Sequence, residues 1–130
     1  MFETDEARAL FDTEHYLAQR PDLTAAEVNP WQHYRAHGWR EGTAPHPLFA
    51  PQHYRAQVRS KAPPLSHYLL GGWREGASPH PLFDAAFYRA QMNGEQASIL
   101  KEAPLLHYHR VGAAAGLSPH PLLIASVKLV

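Results

Sequence analysis

Gly38 to Phe49 reads GWREGTAPHPLF and Gly72 to Phe83 reads GWREGASPHPLF, a twelve-residue stretch repeated with two conservative changes. A third copy, GAAAGLSPHPLL from Gly112 to Leu123, keeps both glycines and the PHPL but has Ala113, Ala114 and Ala115 where the others have Trp, Arg and Glu. Self-similarity at a fixed period is the signature of a repeat architecture, so it sets the frame for every other residue. Working outward, each unit opens on a Phe (Phe11, Phe49, Phe83) followed five residues later by Tyr16, Tyr54 or Tyr88. A second aromatic element follows at His33-Tyr34, His67-Tyr68 and His107-Tyr108, with Gly38, Gly72 or Gly112 five residues past each histidine. Four residues on stands a second glycine, at Gly42, Gly76 or Gly116, and four more bring the histidine of PHP, at His46, His80 and His120.

The units therefore run over 11–48, 49–82 and 83–122, preceded by an N-terminal cap at 1–10 and followed by a tail at 123–130, all within one compact domain. Only the interval between the two tyrosine elements varies: Tyr16 to His33 is seventeen residues, Tyr54 to His67 thirteen and Tyr88 to His107 nineteen. Length change collects in exposed connections, which predicts an elastic surface loop there.

Both tyrosine elements read as short helices. The first has Asp12 or Asp84 to cap free backbone N–H groups, or Pro51 at the first helical position. The second opens on Pro30, Pro64 or Pro104 and is expected to close at Gly38, Gly72 or Gly112. Trp31, Leu65 and Leu105 precede the second tyrosine by three residues and share its face, the expected core seam. Helices of about two turns are marginal alone, so stacking has to stabilise them. The residue before each proline of PHP is biased to extended backbone, which predicts PHPLF as a rigid strap crossing to the next unit and inserting its Leu and Phe between units. The expected fold is thus all-α: three helix-loop-helix repeats joined by extended proline straps. The acidic start and later Arg8 of MFETDEARAL suit a short capping helix, while LLIASVKLV is compatible with a strand, a docking tail or a truncated fourth unit.

Composition narrows the function classes. Twelve Lys and Arg balance twelve Asp and Glu, so there is no basic footprint for nucleic acid or an anionic membrane. With no cysteine, disulfides, thiolate metal sites and thiol chemistry are excluded. No secretory signal and no apolar run of about 20 residues is present, pointing to a cytoplasmic location.

The succession of Phe11-Asp12, Tyr16-Leu17, Pro21-Asp22-Leu23, Pro30, His33-Tyr34, Gly38, Glu41-Gly42, Pro45, Pro47 and Phe49 resembles a repeat found in tandem in bacterial proteins of surface-polysaccharide biosynthesis, often beside glycosyltransferase domains. The likeness spans residues 11 to 122. Units two and three lack the P-D-L element, and the third has Ala115 in place of the glutamate of G-x-x-E-G. The resemblance implies an accessory module in glycan assembly, with a protein such as a glycosyltransferase, or a polysaccharide, as partner. It transfers no catalytic residue.

Three chemistries compete with packing for the polar repeats. Ten histidines in 130 residues invite a metal reading, and His33 with His37 forms an i, i+4 pair, but Gly71 and Val111 stand at the second position in the other units. Repeated histidines are better read as half-buried donors and acceptors between units, bonding the carbonyls freed near proline or at the helix end. Glu41 and Glu75 as acids, His46 and His80 as bases, and Ser60 or Ser78 as nucleophiles supply ingredients for catalysis, yet no catalytic motif organises them, and a catalytic site occurs once rather than in every unit. The sharpest ligand candidates are Trp39-Arg40-Glu41 and Trp73-Arg74-Glu75, an indole plate beside a charge pair suited to a sugar ring. The bland counterpart buries each indole in the seam between units. The expectation is a non-enzymatic interaction or scaffolding module without cofactor or metal, with direct glycan binding and histidine-based metal binding as alternatives.

Overall fold

Helices begin where the sequence supplies caps. In the computed structural model, which describes residues 5–92 and 102–123, α1 spans Asp5–Leu10, α2 Thr13–Gln19 and α3 Pro21–Ala25. Asp12 accepts a hydrogen bond from His15 N at 2.9 Å and Asp84 accepts one from Phe87 N at 3.0 Å. The first helices of units two and three are α6, Pro51–Arg55, and α8, Ala85–Ala90. The second elements open on proline as α4, Pro30–His33, α7, Pro64–Leu70, and α9, Pro104–His107. The chain is helical, with no strand among the described residues and one isolated bridge between His46 and Phe49. The expected capping helix is α1, which buries Ala7 and Leu10 and packs on α7. Residues 124–130, and with them most of LLIASVKLV, lie outside the described residues.

The second element does not end at the first glycine. Gly38 has helical torsions (φ −58°, ψ −37°), and the helix continues through a five-residue π turn, Tyr34–Gly38, into α5, Trp39–Glu41. Tyr108–Gly112 forms the same π turn in unit three, whereas α7 breaks at Gly71 and resumes as a 3₁₀ turn over Gly72–Glu75. The true terminators are the second glycines, left-handed at φ 80° for Gly42, 88° for Gly76 and 87° for Gly116. The expected elastic loop of unit one also carries structure: α3 occupies it and buries Leu23.

The PHPLF strap turns back before it moves on. Asp12 N donates to Pro45 O at 2.8 Å, Ala50 N to Pro79 O at 2.8 Å and Asp84 N to Pro119 O at 2.7 Å, so each strap returns to the opening of its own unit. Gln19, Gln57 and Gln91, each three residues past the first tyrosine, hold it there with both ends of the amide. Gln57 Nε2 donates to Ser78 O at 2.8 Å while Ser78 N donates to Gln57 Oε1 at 2.7 Å, and Gln19 with Ala44 and Gln91 with Ser118 repeat the pair. The chain then reverses in a hydrogen-bonded turn, Phe49 N to His46 O at 3.0 Å and Phe83 N to His80 O at 2.9 Å, with proline at the second position where its fixed φ is favourable. The expected extended crossing is therefore a turn. Its phenylalanine enters the unit it opens, Phe49 against Tyr54 and Tyr68, Phe83 against Tyr88 and Tyr108.

Two apolar clusters result. Tyr16, Leu23 and Tyr34 form a small one with Phe11, Trp31 and Trp39 around them. A larger one joins Ala7 and Leu10 of α1 to Phe49, Tyr54, Leu65, Tyr68, Phe83, Tyr88, Leu105 and Leu106. Units one and three also meet, His46 and His109 lying 5.4 Å apart ring to ring, so the chain curls instead of extending as a rod. Gln57→Met keeps side-chain length while deleting both bonds to Ser78 and is expected to lower unfolding free energy by about 1–2 kcal/mol in a urea titration; an unchanged midpoint would mean that the prolines alone hold the strap.

Candidate functional site

Each unit contains the same polar lock. The hydroxyl of Tyr16 lies 2.7 Å from His33 Nδ1, that of Tyr54 2.6 Å from His67 Nδ1 and that of Tyr88 2.6 Å from His107 Nδ1. All three tyrosines are fully buried. Burial pushes the Tyr16 phenol up to about 12 against the opposing pull of Arg20, and raises Tyr54 and Tyr88 as well, so the phenols stay protonated. The bond joins the two helices of one unit, where the histidines were expected to bond freed carbonyls between units, and either the phenol O–H or an Nδ1–H can be its donor.

The first glycine completes the lock by what it lacks. A Cβ on Gly38 would stand 1.8 Å from the Tyr16 hydroxyl, one on Gly72 1.8 Å from that of Tyr54, and one on Gly112 2.0 Å from that of Tyr88. Histidine and glycine five residues apart would sit about 140° apart on a regular α-helix. The extra residue of the π turn, or the break at Gly71, brings both onto the tyrosine.

The PHP histidines do a different job. His46 Nδ1 accepts from Leu48 N at 3.0 Å, His80 from Leu82 N at 2.9 Å and His120 from Leu122 N at 3.0 Å. A backbone N–H can only donate, so these rings must be unprotonated at Nδ1. Burial, with His109, His15 and His80 nearby and Asp12 opposing them, pulls His46 down to about 4; burial and His53 lower His80 too.

The remaining polar candidates are distributed as follows. Arg20 forms a two-pronged pair with Asp22 at 3.1 and 2.9 Å and reaches Glu41 at 2.6 Å, tying the P-D-L element to the end of α5 and holding both carboxyls below their usual range. In unit two Val58 occupies the corresponding place and Glu75 is exposed. Trp39 and Trp73 are half-buried at the junctions between units. The guanidinium of Arg40 stands 4.9 Å and that of Arg55, from the next unit, 5.7 Å from the Trp39 ring centre, while Arg74 and Arg89 take the same places at 5.0 and 5.8 Å on Trp73. His33 and His37 are 5.7 Å apart ring to ring, but Nδ1 of His33 is committed to Tyr16 and its Nε2 faces Glu41 at 3.7 Å. Among the described residues no group of three or more His, Asp or Glu side chains is placed to hold a metal ion. Ser78 is engaged with the strap, its hydroxyl donating to His80 O at 2.9 Å, and Ser60 accepts from Ala62 N.

Sequence reading passed over the glutamines and the second arginines. Their signal was present: Gln stands at the third position, and in units two and three Arg at the first position, past the opening tyrosine. No family model, curated protein or solved structure matches the chain. No described helix is long and apolar enough to cross a membrane.

Two outcomes test this geometry. Gly72→Ala is expected to cost about 2–4 kcal/mol by forcing its methyl group into the phenol. Tyr54→Phe alone should cost about 1–3 kcal/mol by orphaning His67 Nδ1. Because removing the hydroxyl relieves the closest contact, the double variant should be clearly more stable than the sum of the two losses; simple additivity in urea titrations would contradict a shared lock. For His46 the folded value is depressed, so the unfolded chain binds more protons below about pH 6.5. Stability should be constant above that pH and fall by up to about 3 kcal/mol as pH drops towards 4. His46→Asn keeps an acceptor for Leu48 N but cannot titrate, so it should flatten the dependence of melting temperature on pH between 6.5 and 4. An equally steep variant curve would remove His46 as the cause.

Proposed function

We propose that the chain is a non-enzymatic interaction or scaffolding module made of three structural repeats, each a pair of short helices closed by its own proline turn. One observation carries the reading: the side chains most able to do chemistry are spent on packing, in the same register, three times over. The phenol-imidazole lock, the Gln clamp and the His-to-backbone bond of the PHP turn occur in every unit. Catalysis needs one asymmetric pocket with free acid, base or nucleophile, and an array of identical committed groups is the opposite arrangement. A curled stack of repeats instead presents extended surface at modest chain length.

The resemblance to the repeats of surface-polysaccharide proteins supplies the setting: an accessory role beside glycosyltransferases, in a cytoplasmic location. Direct stacking of a neutral glycan on Trp39 and Trp73 is the less favoured reading, because two guanidiniums already stand over each indole. Purified protein should leave activated sugar donors unconsumed, while immobilised protein should retain a polysaccharide-assembly enzyme from extract of the source organism. Turnover of a donor that survives further purification, or retention of no such enzyme, would overturn the reading. A neutral oligosaccharide panel should leave tryptophan fluorescence unchanged.

A further inference from the structure

The two indole junctions share a register but differ in surroundings. At the first, Arg55 is exposed, and its Nη2 lies 3.5 Å from Trp39 O. At the second, the equivalent Arg89 is half-buried, and its Nε is shut off from solvent with no hydrogen-bond partner among the described residues. Among the described residues neither Arg89 nor Arg74 forms an ion pair, and both stand over the face of Trp73. Both border a cleft of about 690 Å³ between units two and three, within the roughly 300–1,000 Å³ typical of small-molecule sites. His120 also lines it, its Nδ1 used by Leu122 N and its Nε2 turned to no described partner. Among the described residues one carboxylate, Asp84, lines the cleft, and it caps α8. Phe83, Tyr68 and Pro104 supply apolar wall.

We propose that this cleft binds a small organic anion, a carboxylate or phosphate ester, seated on Arg74 and Arg89 with its body against the apolar wall. A guanidinium carries five donors in a planar fork suited to two oxygens of one anionic group. The Trp73 face satisfies only its π surface, and Nε of Arg89 has no acceptor among the described residues. An anion in the cleft provides one, at the cost of a small turn of a flexible stem. The first junction, where the arginine is exposed, lacks the enclosure that would strengthen such a contact. This proposal is independent of the scaffolding role.

The test is calorimetric titration of the whole chain at low ionic strength with glucuronate, glucose 6-phosphate, inorganic phosphate and glucose. Glucuronate and glucose 6-phosphate share a sugar body and separate the carboxylate from the phosphate source. The expected result is millimolar or tighter binding of at least one of them, weaker binding of inorganic phosphate, and none of glucose. Arg89→Gln and the exposed Arg74→Gln should each weaken binding at least tenfold, whereas Arg40→Gln, at the other junction, should leave it unchanged. Arg74→Gln keeps the test valid if Arg89→Gln unfolds the chain. Equal binding of glucose, no binding of either organic anion at millimolar concentration, or wild-type affinity in folded Arg74→Gln would overturn the proposal.

Discussion

The bond from a buried phenol to an imidazole Nδ1, made over a glycine, is the constraint on which the rest depends. It fixes three positions in each unit at once: the tyrosine of the first helix, the histidine that ends the first turn of the second, and the glycine five residues later. A regular helix cannot present the last two to one atom. The chain meets the demand in two ways, by a π turn where a residue with a side chain precedes the glycine and by a break where Gly71 does. Two backbones serving one contact shows that the contact, and not helix regularity, is what the sequence maintains. It also explains why the interval between first and second helices is free to vary: the lock reaches across it, and any length of connection that lets the phenol arrive is acceptable.

The lock joins two helices but leaves the end of the second loose. The second, left-handed glycine turns the chain, and the Gln clamp draws the strap back to the opening of its own unit. Closure therefore comes before stacking. Only after the His-Pro-Leu-Phe reversal does the chain enter the next unit, and the phenylalanine that leaves one unit is the first core residue of the next. Because the two roles sit on adjacent residues, the geometry of closure dictates the geometry of stacking. The imidazole of His46, which burial keeps neutral, lies at that hinge.

Much of this was legible from spacing alone. The helix starts at Asp12, Asp84 and the prolines, the shared face of Leu65 with Tyr68, and the capping helix at the N-terminus follow from local rules that tertiary packing had no reason to override. The errors came where one residue type serves two physical purposes. Glycine ends helices and also admits close approach; Gly38 looked like the first and is the second, and the phenol that needs the space is twenty-two residues away. Proline favours extended backbone and also opens turns; the clamp that decides between them comes from Gln57, twenty-one residues from Ser78. In unit one the apparent loop held Leu23, a single apolar residue too isolated to show a period. The common cause is that these contacts are long in sequence and single in number, so no local pattern announces them, whereas comparing units in register does.

The Trp-Arg-Glu triplet, the feature that most invites a chemical reading, divides under the same comparison. Glu41 is claimed by Arg20, a pairing that unit two lacks because Val58 replaces the arginine, so the glutamate is not part of a common site. The tryptophan pairs instead with an arginine from the following unit, Trp39 with Arg55 and Trp73 with Arg89. At the first unit the arginine's place holds Leu17, which packs into the small core, and at the third the tryptophan's place holds Ala113. The pairing thus belongs to a junction between successive units rather than to each unit by itself. The two junctions nevertheless differ in their arginine: Arg55 is exposed, whereas Arg89 has its Nε shut off from solvent with no hydrogen-bond partner among the described residues, so an element shared in register still has unequal surroundings.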